Sequence, residues 1–305
     1  MSLDCAISKC DEGILPLFRL ESPTVNESFW IWPLALFALT FVLGIVAVVA
    51  GVGGGVLFVP IVASFFPFHL DYVRGAGLVL ALTGALSASP TLLRAHLASL
   101  RLVLPLALAG SVCSLAGAVV GFALPVNLVQ TALGLIIIAV ALLIWLAKGA
   151  DPSRVVSDAL GRHLGLHGVL HDPAGGRVEW RTHRTASGIA AFGGIGFVGG
   201  LFGLGAGWAN VPVLNLLMGA PFKLAVGSSG LAISIINSSA AWVYIARGAL
   251  LPAIALPSIL GVMLGSRIGA RLLHGMPSLV VRRIVIVVLA LAGARALLRG
   301  LGIWP

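Results

Sequence analysis

The stretch Gly51-Val52-Gly53-Gly54-Gly55, followed by Pro60, interrupts a long apolar segment and decides how the rest of the chain is organised. It recurs 152 residues later as Gly203-Leu204-Gly205-Ala206-Gly207 with Pro212, and the correspondence continues without a gap through the spans that follow. Glycine and proline impose special backbone conformations, so their retention at a fixed offset predicts that the same bends occur twice. The sequence therefore predicts an internally duplicated structure.

The composition is that of an integral membrane protein. Hydrophobic residues make up 59% of the 305 residues and charged residues only 10%, whereas a soluble domain has roughly 25% charged residues. Apolar runs long enough to cross a hydrocarbon core of about 30 Å recur along the chain. Strand-length alternation is missing, so the spans are expected to be helices. We predict an all-α polytopic membrane protein with about eight apolar segments and a Gly-broken helix in each half.

Polar segments divide the chain into four predicted parts. These are a polar N-terminal segment (1–29), a first transmembrane repeat (30–147), a cytoplasmic linker (148–185) and a second transmembrane repeat (186–305). Most Lys and Arg residues fall on the linker's side whether each broken segment crosses the membrane once or folds back, so both topologies place the linker in the cytoplasm. We favour folding back, which makes the repeats inverted, because two legs of roughly 16 residues suit a hairpin. The expected location is the inner membrane of a bacterial cell.

The broken helices are the predicted binding elements. A helix that restarts inside the membrane presents free N–H groups and the positive end of its dipole, and such an end binds anions. Between Val73 and Gly149, and from Arg181 to the end, the chain has no carboxylate, which suits an anion pathway and not a cation pathway. The candidate substrate-binding residues are Gly53, Gly54, Gly55, Ser87, Gly205, Gly207, Asn210, Gly227, Ser228, Ser229, Asn237 and Ser238.

The same residues resemble a known family. Gly51-Val52-Gly53-Gly54-Gly55 leading to Pro60, and Ala225-Val226-Gly227-Ser228-Ser229 leading to Tyr244 and Gly248, are similar to the TauE/SafE family of sulfite and organosulfonate exporters. The resemblance implies a membrane anion permease for small sulfur oxyanions or sulfonates. Gly75-Ala76-Gly77 departs from the family's pattern because two hydroxyl positions have become Ala and Gly, so we expect unequal hydrogen-bond donors in the two halves.

The predicted function is a secondary transporter that moves a small anion by alternating access around the two breaks. One alternative is an intramembrane serine hydrolase that would use Gly227-Ser228-Ser229-Gly230 with His274 as a base. Another is an anion channel. The expected partners are the small anionic substrate and the lipid bilayer, a homodimer is left open, and no cofactor or metal is predicted. Nucleic acid is excluded as a partner because the basic residues are spread among loops.

Some charged residues outside the breaks also need an interpretation. Arg74 and Lys223 lie at corresponding bends, and we interpret both as interfacial anchors and not as anion attractors. Asp71 and His69 could relay protons, but an interfacial turn is the favoured interpretation. In the linker, His163, His167 and His171 repeat every four residues, as on one face of a helix. Glycines among them favour a solvated loop without a metal.

Overall fold

A computed structural model describes residues 31–50, 53–65, 68–146, 158–171 and 177–272, together with positions 290, 294, 297 and 298. Within this part, six helices are long and apolar enough to cross a membrane, which confirms the predicted all-α polytopic class. Residues 279–303, which the sequence predicts to be the last of the apolar segments, lie almost entirely outside the described residues. The helices are α1 (Ile31–Ala50), α2 (Gly54–Phe65), α3 (Leu70–Arg94), α4 (Leu100–Ala123), α5 (Val126–Leu146), α6 (Ala159–His163), α7 (Thr185–Phe202), α8 (Gly207–Pro212), α9 (Phe222–Ala246) and α10 (Pro252–Leu272), and a π-helical turn (Val213–Leu217) follows α8.

Each glycine cluster separates two helices. Between α1 and α2, Gly53 has a φ of +80°. Between α7 and α8, Gly203 and Gly205 have φ of +69° and +77°. This left-handed region is open to glycine at little cost and is disfavoured for other residues. The glycines therefore end one helix and allow the next to start at a new angle, as the sequence predicts.

The second broken segment folds back to the side on which it starts. The backbone N–H of His183, just before α7, donates a hydrogen bond to the carbonyl of Met218, just after the π-helical turn, at 3.1 Å. On the same side, a Cβ added to Gly188 would meet the Met218 side chain. The two legs of this segment therefore form a hairpin.

Helices of the first half of the chain pack against helices of the second half. α1 lies along α10 and α7 lies along α4, while α3 and α9 pack together at the centre. Gly117 of α4 lies against the backbone of Phe197, and Gly269 of α10 lies against that of Ile45, which is the same contact displaced by 152 residues. Small residues let helix backbones approach closely in a membrane. The glycines of α4 and α10 therefore allow these close pairs to form.

The linker forms a small folded unit. Strand β1 (His167–His171) pairs antiparallel with β2 (Arg177–Arg181). Leu166 and Trp180 are buried in one cluster with Leu102 of α4, so this unit packs against the helical core. The interpretation of this stretch as a wholly solvated loop is therefore wrong for its described part.

The three linker histidines do not share a helix. His163 ends α6, whereas His167 and His171 lie at the two ends of β1. Their four-residue spacing therefore does not give the helical row that it would give on a continuous helix. In the described part of the chain, no group of three His, Cys, Asp or Glu side chains is arranged to hold a metal ion.

Candidate functional site

The two helix breaks contact each other at the centre of the molecule. A Cβ added to Gly55 would lie 2.6 Å from the carbonyl oxygens of both Leu204 and Gly77. A Cβ added to Gly53 would lie 3.7 Å from the Cα of Gly207. Distances of 2.6 Å leave no room for a side chain, so glycine at position 55 is required by this close approach. The helix breaks of the two halves therefore pack directly against each other.

A small cavity of about 30 Å³ lies beside the first break. It is lined by residues of α1, α3, α9 and α10 and by the start of α2, so both halves of the chain build it. Most of its surface is apolar, and no ionisable side chain occurs among the described lining residues. Its small and polar lining residues are Gly53, Gly54, Gly84, Ala85, Gly230 and Ser266.

The amide end of α2 faces this cavity. Gly54 is the first residue of α2, it is buried, and with Gly53 it belongs to the lining. The first N–H groups of a helix have no partner within the helix, and the helix dipole gives this end a partial positive charge. This end of the cavity can therefore attract negative charge without an ionised side chain.

Ser266 was not predicted from the sequence as a site residue. Its side chain is 1% exposed, and its Oγ has no hydrogen-bond partner among the residues that the structure describes. A Cβ on Gly84 would lie 3.0 Å from this Oγ, so the hydroxyl lies next to another lining residue. Its equivalent 152 residues earlier is Ser114, also buried and also without a described partner. A serine at both positions of two apolar spans was the available signal.

Three backbone carbonyl groups at the second break are hydrogen-bonded within the protein. The last carbonyls of a helix have no partner in the helix and must be satisfied elsewhere. At the end of α7, three groups supply the donors: the N–H of Gly205 to Gly199 at 3.3 Å, the hydroxyl of Tyr244 to Gly200 at 3.0 Å, and the guanidinium of Arg74 to Leu201. Side chains from α3 and α9 therefore donate hydrogen bonds to backbone carbonyls at the second break.

One backbone N–H at the second break also has a side-chain partner. The Oδ1 of Asn237 accepts a hydrogen bond from the N–H of Ala206 at 2.9 Å. Asn237 was predicted to bind substrate, and in this structure its side-chain oxygen accepts a hydrogen bond from the backbone. Its Nδ2, which lies beside Gly205, has no partner in the described part of the chain. Asn210, on α8, is fully buried, and neither of its amide atoms has a described partner.

Arg74 is not an interfacial anchor. Its side chain is 2% exposed, and it pairs with Asp71 at 2.8 Å. The guanidinium also lies 5.4 Å from the centre of the Tyr244 ring. Burying a charge is costly unless it is paired and hydrogen-bonded, and these contacts supply that compensation. By contrast, Lys223 at the corresponding bend is exposed.

Several predicted site residues lie away from the cavity lining. The Ser87 hydroxyl donates to the carbonyl of Met263 at 2.9 Å, and the Ser238 hydroxyl is exposed and bonds within its own helix. Gly227 packs against the backbone of Leu97, and the Oγ of Ser228 accepts from the N–H of Ser99 at 3.1 Å. Of the twelve predicted residues, only Gly53 and Gly54 line the cavity, while Gly55, Gly205, Gly207 and Asn237 lie where the breaks meet.

The serine-hydrolase alternative gains no support from these positions. Ser229 would be the nucleophile, and its side chain is fully buried. Ser229 and its neighbours do not line the described cavity except for Gly230. His274, the proposed base, lies outside the described residues.

Taken together, helices long and apolar enough to cross a membrane, two broken helices in contact and a small cavity at one break are typical of a polytopic membrane protein of the transporter class. The chain belongs to the sulfite exporter TauE/SafE family, whose model matches residues 36–296. It is 25% identical over 273 residues to Probable membrane transporter protein YunE of Bacillus subtilis (strain 168), covering 87% of this chain and 97% of that protein. No solved structure matches the chain significantly. The family membership and this relative establish a membrane transporter.

Proposed function

We propose that the chain is a secondary transporter that moves a small anion, a sulfur oxyanion or an organosulfonate, by alternating access around its two broken helices. The observation that carries the proposal is the amide end of α2, which faces a cavity built by both halves and free of described acidic residues. An anion gains from these N–H groups, whereas a cation finds no compensating charge. The family's printed description, sulfite exporter, agrees with this class of substrate.

The repeats that this mechanism needs are supported by the helix bounds. α3 spans Leu70–Arg94 and α9 spans Phe222–Ala246, so both ends are displaced by 152 residues. Gly53 and Gly205, separated by the same offset, share a positive φ. We infer that the halves are inverted repeats, because the hairpin of α7 and α8 returns to its starting side. An equivalent hairpin of α1 and α2, followed by crossings of α3, α4 and α5, would give the first half an odd number of crossings.

The packing of each half against the other supports alternating access. Each broken segment packs against helices of the other half, so a movement of one half against the other changes the surroundings of both breaks together. Two similar but non-identical repeats can exchange their conformations, and that exchange would open the central cavity to one side and then to the other. The linker then lies in the cytoplasm, and the protein in the inner membrane of the cell.

The test is transport by the purified protein in proteoliposomes. Currents on solid-supported membranes would be recorded with sulfite, sulfate, thiosulfate, methanesulfonate, taurine and acetate. We expect saturable currents with one or more sulfur oxyanions or sulfonates, and their loss in Gly55→Val, because a side chain at position 55 would clash with two backbone carbonyls. Gly194→Ala is the control, since a Cβ there meets nothing within 4 Å. Saturable currents with acetate alone, or unchanged currents in Gly55→Val, would contradict the proposal.

A further inference from the structure

The two breaks differ in the side chains that surround them, although Gly53 and Gly205, at equivalent positions, both have a positive φ. Three polar side chains make hydrogen bonds to the backbone at the second break: those of Arg74, Tyr244 and Asn237. Displacing each by 152 residues gives the positions that surround the first break, which are Val226, Leu92 and Ala85. All three line the cavity, and none of these side chains can donate or accept a hydrogen bond. At these three equivalent positions, the first break therefore has no side chain that could make such a hydrogen bond.

Resting on the proposed function, we propose that substrate binds at the first break, where Ser266 is the side-chain donor and the start of α2 supplies backbone donors. A buried hydroxyl without a partner costs free energy that a ligand can recover. Among the residues that the structure describes, Ser266 is such a group, and it lies in the wall of the same cavity as Gly54. At the second break, in contrast, the protein's own side chains are hydrogen-bonded to the backbone. The second break therefore has a structural role in this proposal.

The lining also selects the charge of the substrate. Transfer of an ion into a site of low dielectric constant is costly, and the cost rises steeply with its charge. No described lining residue is Lys, Arg or His, so only helix-end dipoles and one hydroxyl offset that cost. The remaining wall is glycine, alanine, valine, leucine and isoleucine, which favours an apolar substituent. The site is therefore built for a small, singly charged oxyanion with an apolar part, such as a short alkanesulfonate, and against divalent sulfate.

Ser266→Ala tests the site, with Ser258→Ala as the matched control. Ser258 lies on the same helix, is equally buried and also has no described hydrogen-bond partner, but it does not line the cavity. The measurement is the apparent affinity for methanesulfonate in proteoliposome currents, together with the melting temperature in detergent. We expect Ser266→Ala to weaken the affinity about tenfold or more, because a hydrogen bond to a charged ligand is lost. Ser258→Ala should stay within about twofold of wild type.

Stability separates binding from a structural role. Removing a buried hydroxyl that has no partner should leave the melting temperature of both variants unchanged or raised. If Ser266→Ala loses affinity while its melting temperature is retained, the assignment stands. If Ser266→Ala transports methanesulfonate with wild-type affinity, the site assignment fails, although the transporter function would survive.

Charge selectivity is measured in the same preparation. We expect wild-type protein to prefer methanesulfonate over sulfate by about tenfold or more in apparent affinity. Equal affinities would overturn the inferred charge class. Absence of a saturable current with every sulfur anion in the wild type would overturn both the site and the proposed function.

Discussion

At the scale of single residues, Arg74 has the most consequential environment. It connects three parts of the fold, because its guanidinium bonds to Asp71 of α3, to the carbonyl of Gly121 in α4 at 3.3 Å, and to the carbonyl of Leu201 in α7. The contact to Leu201 crosses between the two halves of the chain at the second break. Its position in the sequence, at a polar bend, indicated an interface with water. The folded chain places α4 and α7 over that bend and buries it.

Arg74→Met should strongly destabilise the protein. The substitution removes the Arg74 partner of the half-buried Asp71 and leaves the buried Leu201 carbonyl without this donor, and an unsatisfied buried polar group costs about 1–3 kcal/mol. Chemical or thermal unfolding in detergent measures the loss. Arg94→Met, at the exposed end of the same helix, should change the free energy of unfolding by less than about 0.5 kcal/mol.

A second substitution identifies the cause of that loss. Adding Asp71→Asn to Arg74→Met removes the unpaired carboxylate and should restore part of the stability. If Arg74→Met is no less stable than Arg94→Met, the ion pair and the carbonyl contacts of Arg74 do not contribute to the free energy of unfolding.

At the scale of secondary-structure elements, the break between α7 and α8 depends on a cap from α9. Asn237→Ala removes the acceptor for the N–H of Ala206 and leaves that buried donor unsatisfied, at a cost of about 1–3 kcal/mol. Ser234→Ala is the control on the same helix, because the Ser234 hydroxyl bonds only to the Gly230 carbonyl of its own helix. Unfolding free energies of both variants would be compared with wild type, and equal values would show that the cap contributes nothing.

The linker is held to α7 by one carboxylate. Asp158 accepts hydrogen bonds from the backbone N–H and the hydroxyl of Thr185, at 2.9 and 2.8 Å, and from the N–H of Gly161. Desolvation raises the pKa of Asp158, but the hydrogen bonds from Thr185 and Gly161 outweigh it and hold the pKa below its ordinary value. The ionised form is therefore the one that stabilises this junction.

A pH dependence follows from the direction of this shift. A carboxyl whose pKa is lower in the folded state stabilises above its unfolded pKa of about 4, and that contribution is lost as the pH falls through the folded value. Asp158→Asn should therefore lower the melting temperature at pH 6, and the difference from wild type should disappear in the acid range below about pH 4. A difference that is constant across this range would show that ionisation of Asp158 is irrelevant.

At the scale of the whole molecule, the inverted arrangement makes a prediction about sidedness. If the second broken segment is a hairpin, the end of α9 lies on the side opposite to the linker, whereas a single crossing would place both on the same side. In a variant without native cysteines, Ala246→Cys should react with a membrane-impermeant thiol reagent added outside whole cells. Ala159→Cys in the linker should react only after permeabilisation. Labelling of both positions from the same side would refute inversion.

Much of this fold could be predicted from the sequence because its signals are local. The apolar runs predicted the spans, and the glycine clusters predicted where helices stop, since φ values near +80° are properties of a single residue. The paired offset of 152 residues predicted that equivalent contacts would occur twice, as Gly117 with Phe197 and Gly269 with Ile45 do. The packed linker was missed because two short strands and a five-residue helix have weak patterns.

The sequence by itself determined the membrane class, the two helix breaks and their relation by a constant offset, because hydrophobic length and glycine conformation need no distant partner. Only the tertiary structure decided that the breaks touch, that Arg74, Tyr244 and Asn237 close one of them, and that Ser266 lies beside the other. The physical reason is that the satisfaction of a buried polar group depends on side chains far away along the chain. Two breaks with similar glycine patterns can therefore have different surroundings.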